Sequence, residues 1–314
     1  MSAESEMFLI RVPASTANLG PGFDSIGLAL GLYLEIRGSL SNRWEVIPVS
    51  EEMSVFPKDD SNYIVQIAKK TAAYYGKDLS PCRIHVSSEI PLARGLGSSA
   101  SAIVAGIELA NLVAQLNLSD QEKNRHASSF EGHPDNAGAS VYGGLVVGLH
   151  TEEKTDVLSF PIEGVNVIAV IPDFELLTED SRNVLPKFLP YKEAINGSAA
   201  ANVLLAGILT NDWNLVGQMM QNDRFHQPYR ASLVPHLAEV EKIIRHEGGY
   251  GAALSGAGPT VLCLVSAEET GRLLRSLKEA FPEFQVKQLK VDNEGSQTSM
   301  LSEEEKKEWS FYIT

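Results

Sequence analysis

The segment Pro91-Leu-Ala-Arg-Gly-Leu-Gly-Ser-Ser-Ala-Ser101 constrains this chain more than any other. It follows an alternating stretch, 82–88, that reads as a strand, and precedes an apolar stretch, 100–116, that reads as a helix. Such a turn leaves the backbone N–H groups of Gly97, Ser98 and Ser99 at the positive end of the helix. Free donors and the helix dipole together make an anion site. Gly95 and Gly97 remove side chains where a phosphate would approach, and the hydroxyls of Ser98 and Ser99 add ligands for phosphate oxygens or a metal-bound water. The same pattern also serves a plain strand-to-helix turn whose glycines allow close packing.

Two familiar phosphate loops do not fit. The Gly-Lys-Ser/Thr triplet of a Walker A loop occurs nowhere in the chain. Gly95-Leu-Gly-Ser-Ser-Ala100 matches an alanine-ended dinucleotide fingerprint, but that motif needs a following strand that ends in an acidic ribose ligand. Here Leu116 leads into Asn117-Leu-Ser-Asp120 and a new helix.

Around this loop the chain mixes helices and strands. Residues 8–12 read as a strand that stops at Pro13, and 33–37 and 44–49 as further strands. Asp60 or Ser61 caps a helix whose Ile64, Ile67, Ala68, Ala72 and Tyr75 share one face, closed by Gly76. Ser119 with Glu122, and Ser266 with Glu269, form capping boxes. Helices are expected over 199–210, 212–222 and 235–247, and strands over 144–149, 165–171 and 285–291. Residues 251–265 hold a turn and a strand. The charged run 150–156 reads as a surface loop near a domain boundary, and 292–314 as a polar tail. Glycines gather at 18–27, 95–99 and 248–258, which points to close backbone approach there.

The net charge of −14, from 40 acidic and 26 basic residues, disfavours nucleic acid and anionic membrane surfaces as partners. Cys82 and Cys263 have no metal-site or disulfide spacing and read as buried thiols. No signal peptide is read at the start, and no apolar run approaches the ~18 residues of a membrane span. The expected compartment is the cytoplasm.

The loop at 91–101 resembles the ATP-phosphate loop of the GHMP kinases. Val12-Pro-Ala-Ser-Thr-Ala-Asn-Leu-Gly-Pro-Gly-Phe-Asp24 and Leu254-Ser-Gly-Ala-Gly-Pro-Thr260 resemble the family's first and third motifs, in the right order. Ala17-Asn-Leu-Gly-Pro-Gly-Phe-Asp24 replaces the Gly-Glu-His element of the galactokinase and mevalonate kinase branches. With Glu131-Gly-His-Pro-Asp-Asn136, Thr178-Glu-Asp-Ser-Arg-Asn-Val-Leu-Pro186 and Asp223-Arg-Phe-His-Gln-Pro-Tyr-Arg230 it is similar to the homoserine kinase branch.

The resemblance implies a two-lobed α+β fold. An N-terminal lobe of the ribosomal protein S5 domain 2 kind would span 1–160 and a ferredoxin-like lobe 161–314, with ATP, Mg²⁺ and L-homoserine meeting in the cleft between. ATP would lie against Asn62, at the adenine, and against Pro91, Leu92, Ala93, Arg94, Gly95, Leu96, Gly97, Ser98, Ser99, Ala100 and Ser101. Ser98 and Glu131 would hold Mg²⁺, and with Asn136 form the catalytic set. In the family the metal glutamate stands further upstream of the histidine, where this chain has Arg125 or His126. Arg182 and Arg230 suit the acceptor's carboxylate and Asp24 its ammonium, while Asn18, His133, Thr178 and Gly256 complete the acceptor site. No general base stands out, Asp135 included, and a dissociative phosphoryl transfer does not require one early. A homodimer is compatible with the sequence, which does not fix the oligomeric state. The rival readings are a GHMP kinase with another acceptor alcohol, an NAD-type oxidoreductase, and a binding protein that keeps the fold.

Overall fold

The structure, a computed structural model, describes residues 7–302 together with 304, 305 and 309. The chain opens on β1 (Met7–Asn18), whose Phe8, Ile10 and Val12 alternate inward, and turns back at once into the long β2 (Gly22–Leu40). The pairing is antiparallel, from Met7 opposite Ser39 to Asn18 opposite Gly22. β1 does not stop at Pro13 as the sequence suggests. A register shift between Pro13 and Ala14 absorbs the missing N–H, as proline in a strand requires.

The first lobe continues through β3 (Glu45–Pro48), α1 (Tyr63–Tyr74), β4 (Cys82–Ser88), α2 (Ser98–Val113), α3 (Asp120–Glu131), α4 (Asp135–Tyr142), β5 (Leu145–His150) and β6 (Thr155–Phe160). Asn62, rather than Asp60 or Ser61, caps α1, its Oδ1 accepting from the Ile64 N–H at 3.0 Å. The capping box at Ser119 and Glu122 is complete. Buried residues of α2 include Ala100, Ile103, Val104, Ile107 and Leu109. The charged run at 150–156 is the turn of the β5–β6 hairpin, so β6 escapes a sequence reading that sees only the charges.

The second lobe holds β7 (Asn166–Ile171), α5 (Thr178–Asn183), α6 (Tyr191–Leu209), α7 (Trp213–Met220), α8 (Gln227–Arg230), α9 (Leu237–Glu247), β8 (Gly251–Leu254), β9 (Val261–Val265), α10 (Thr270–Ala280) and β10 (Gln285–Leu289). α6 starts eight residues before the expected Ala199. The box expected at Ser266 and Glu269 is half made: Ser266 Oγ accepts from the Glu269 N–H at 3.2 Å, and α10 starts one residue later. The four strands are antiparallel in the order β10-β7-β9-β8, the ferredoxin-like arrangement. Alternation divides this sheet. Ile168, Val170, Cys263 and Val265 pack with Val240, Ile244, Leu273 and Leu277 of α9 and α10. Val167, Ala169, Leu262 and Leu264 turn the other way and join α6, α7 and the first lobe in one continuous core.

The segment after β10 is not simply a polar tail. β11 (Gln297–Met300) crosses back and pairs with β1, completing a seven-stranded sheet with the path β11-β1-β2-β4-β3 and β5 and β6 branching from β2. Ser296 donates to fully buried Glu108 of α2 at 2.6 Å, and Lys123 pairs with the same carboxylate at 3.0 Å. Both cysteines are buried free thiols; burial pushes Cys82 up to about 12 and raises Cys263 as well. Among the described residues no helix is long and apolar enough to cross a membrane.

Candidate active site

The three glycine-rich segments converge where the two lobes meet. Ser255 Oγ donates to the Gly95 carbonyl at 2.6 Å and accepts from the Thr16 hydroxyl at 2.8 Å. The Gly256 N–H reaches the Ala17 carbonyl at 3.2 Å, and the Ser15 N–H reaches that of Leu96 at 3.2 Å. Gly95 and Gly97 are left-handed, at φ 77° and 72°. A side chain at Gly95 would collide with the Ser255 carbonyl, and one at Gly97 with the Ser15 hydroxyl. The packing of the three motifs on one another demands these glycines, a reason beyond the phosphate approach that sequence suggests.

The junction encloses a cavity of about 100 Å³. Asn18, Asp24, Glu131, His133, Asn136, Thr178, Arg182, Arg230 and Gly256 all line it, with Ala93, Gly95, Gly97, Ser98, Ser99 and Ala100 of the loop. Pro91, Leu92, Arg94, Leu96 and Ser101 do not. Leu96 is core; Ser101 bonds back to the Gly97 carbonyl at 2.9 Å. Arg94 turns to the second lobe, donating to the carbonyls of Pro172 and Asp173 and pairing with Glu175 at 3.4 Å.

Local turns place each polar group. Left-handed Gly132 ends α3 and swings the chain into α4, which gathers Glu131, His133, Asp135 and Asn136. Glu131 Oε1 accepts from Ser99 Oγ at 2.7 Å; it is Ser99, not Ser98, that reaches it. His133 Nδ1 lies 2.5 Å from Oδ1 of buried Asp135, which also accepts from the Asn136 N–H at 2.6 Å. Burial opposes protonation of His133, but the Asp135 hydrogen bond and charge, then Asp24 and Glu131, raise it to about 9. Ser15 Oγ donates to Asn136 Oδ1 at 3.0 Å.

Asn18 and Asp24 are non-glycine residues at φ 76° and 53°, a strained backbone held by the bond from the Asp24 N–H to Asn18 Oδ1 at 3.1 Å. Asp24 meets Arg182 of α5 in a fork of 2.8 and 3.1 Å. Arg230, at the end of α8, is 2% exposed and forms no ion pair among the described residues. It donates to the carbonyls of Ser181 at 3.0 Å and Gly256 at 2.9 Å. Burial and the neighbouring charge of Arg182 lower it to about 10.

A second, apolar cavity of about 260 Å³ adjoins the first and shares Ser98 and Ser99 with it. Leu34, Val46, Met53, Phe56, Ile64, Val86 and Leu92 line it, with Asn62 and Tyr63. Asn62 already uses its amide, accepting from Ile64 and donating to the Pro57 carbonyl at 2.9 Å. Burial and the charge of Glu131 hold the Tyr63 phenol above its usual value, and a hydrogen bond links it to Ser99. Sequence reasoning missed Tyr63, Phe23 and Ser15. The first looks like any residue of a helix's first turn, and the others lie in the first motif without a role of their own.

One grouping could hold a metal on distance alone: Asp24, His133 and Asp135 present ligand atoms within 4.8 Å of one another. Asp24 is committed to Arg182, and a protonated His133 to Asp135, so these donors already have partners. Glu131 with the two serine hydroxyls offers instead one carboxylate and neutral oxygens, the donor set that Mg²⁺ takes beside phosphates.

Comparison with known proteins places the chain in a family. The family models for the N-terminal and C-terminal domains of the GHMP kinases match residues 62–144 and 204–283. The chain is 51% identical to the homoserine kinase of Bacillus velezensis over 294 residues, 93% of this chain and 95% of that one. With the homoserine kinase of Bacillus licheniformis it shares 49% over 295 residues, 94% and 96% of the two. The crystal structure of homoserine kinase from Cytophaga hutchinsonii superposes with a TM-score of 0.83 at 27% identity, covering 95% of this chain and 99% of that one. The mevalonate kinase of L. major, at 19% identity and a TM-score of 0.68, shares the fold. Motifs, topology and relatives coincide: this chain belongs to the homoserine kinases of the GHMP kinase family.

Proposed function

We propose that the chain transfers the γ-phosphoryl of ATP to the side-chain hydroxyl of L-homoserine, giving O-phospho-L-homoserine. The observation that carries this reading is a single cavity lined by Asp24, Arg182 and Arg230 and also by Gly97, Ser98, Ser99 and Glu131. The acidic and basic groups suit an amino-acid zwitterion, and the N–H groups at the start of α2 suit phosphates. The apolar cavity beside Ser98 suits the adenine, with Tyr63 and Asn62 at its rim.

Glu131, Ser98 and Ser99 are the residues that would hold Mg²⁺, which when bound neutralises charge on the phosphates. Arg182 and Arg230 bind the carboxylate, Asp24 the ammonium, and Asn18, Thr178 and Gly256 bound the acceptor's backbone. Asn136, tethered by Ser15, orients the hydroxyl. His133, protonated through Asp135, offers a positive donor rather than a base. The hydroxyl therefore keeps its proton until bond formation is advanced and passes it to the phosphate, as a loose transition state permits.

An ADP-release assay across homoserine, mevalonate, galactose and shikimate tests the reading. Homoserine should stimulate ADP release at least about tenfold over the others, since only it supplies a partner for both charged groups. A preference for a carboxylate-free sugar would overturn it.

A further inference from the structure

Phe23 lines the acceptor cavity beside Asp24, and the reading above assigns it nothing. One face of its ring stacks on the buried imidazole of His226, with centroids 5.3 Å apart and planes at 21°. The Cζ atoms of Arg182 and Arg230 lie 5.6 and 5.4 Å from the ring centroid, inside the range where a guanidinium is attracted by the negative face of an aromatic ring. The two arginines come from different short helices and repel each other. Hydrogen bonds hold Arg182 through Asp24, and Arg230 through the Gly256 carbonyl, through His226 Nδ1 at 3.2 Å and through the carbonyl of Ser181, which adjoins Arg182 on α5. Phe23 is the ring that both share.

We propose that Phe23 is a positioning residue, whose ring, braced by His226, holds the two guanidinium groups at the spacing a single acceptor carboxylate can bridge. This rests on the reading of the acceptor as an amino acid. The backbone supports it, because the strained turn at Asp24, fixed by Asn18, sets the direction in which the ring is presented. Phe23 acts through the arginines and has no part in the phosphoryl step. Its loss should therefore raise the KM of homoserine and spare both kcat and the KM of ATP.

The test is steady-state kinetics on the wild type, on Phe23→Leu, and on proteins with mono-, di- and trifluorophenylalanine at position 23. Phe23→Leu should raise the homoserine KM about tenfold, the effect of losing two such contacts, with the other constants within about twofold. Fluorination keeps the shape of the ring and drains its negative face, so the homoserine KM should climb with each fluorine. A homoserine KM that stays flat across the fluorine series would overturn the proposal. So would parallel losses in kcat and ATP KM for Phe23→Leu, which would mark a merely structural role. If Phe23→Leu does not fold, the fluorine series decides alone. Failure of the wild type to phosphorylate homoserine would instead remove the acceptor reading itself.

Discussion

Arg182 and Arg230 serve the same end of the cavity from opposite circumstances. The Arg182 side chain is 39% exposed and already paired with Asp24, a kind of contact worth about 0–1 kcal/mol. Arg182→Ala should therefore leave the melting temperature nearly unchanged while the homoserine KM rises tens- to thousands-fold, on the order of losing one partner of a charged pair. Arg230 is buried and holds two carbonyls, each costing about 1–3 kcal/mol if left without a donor. Arg230→Ala should raise the same KM and also lower the melting temperature by several degrees. Equal thermal stability of the two variants would refute this distinction. Glu131 faces a different test. Glu131→Ala should lower kcat with a smaller effect on homoserine KM, and activity should vanish with a chelator and return with Mg²⁺. A kcat within about twofold of wild type would reduce Glu131 to the last residue of its helix. At this scale the motifs named residues that come to line one cavity. Sequence could not tell Ser98 from Ser99 as the partner of Glu131, since adjacent positions at a helix start differ only in direction.

Elements explain why those residues converge. The loop before α2 is held against the first and third motifs by contacts that its glycines make possible. Gly97→Ala puts a methyl group against the Ser15 hydroxyl on a left-handed backbone, a conformation that by itself costs about 1–2 kcal/mol. The variant should lose both stability and kcat. Adding Ser15→Ala removes the nearest atom and should restore part of the stability, but not kcat, because it also frees Asn136. A double variant no better than the single one would place the cost wholly in the backbone. Long elements such as α2 and β4 were legible from periodicity. The short helices α4, α5 and α8 were not: α5 and α8 run fewer than two turns, and α4 buries consecutive residues, Ala137 to Val141, so none shows a one-faced period. Yet these three carry Asn136, Thr178, Arg182 and Arg230. The polar α5 is tied to another segment by Ser181 Oγ, which donates to the Ala257 carbonyl at 2.7 Å.

Over the whole molecule, burial lowers the pKa of His85, His226 and His236 from the usual 6.5. The unfolded chain regains the ordinary value and binds protons more readily as the pH drops. The stability these residues contribute is complete above pH 6.5 and is lost as the pH falls below it, toward their folded values. His133, raised to about 9, works the other way and gains as the pH falls toward 6.5, so the urea midpoint of a His133→Gln variant should fall between about pH 7.5 and about pH 5.5, a range above the ordinary carboxylate titrations. An unchanged midpoint would show that these histidines accept protons without cost in the fold. Sequence by itself determined the glycine-rich turn before α2, the family, the excess of acidic residues, the buried thiols and the kind of second lobe. These depend on local pattern and on residue types in a fixed order. Only the tertiary structure decided that β11 returns to the first sheet, that Asp24 and Arg182 form an ion pair, and that Phe23 underlies both arginines. Each joins segments more than a hundred residues apart, and no local preference encodes which distant partner a side chain will meet.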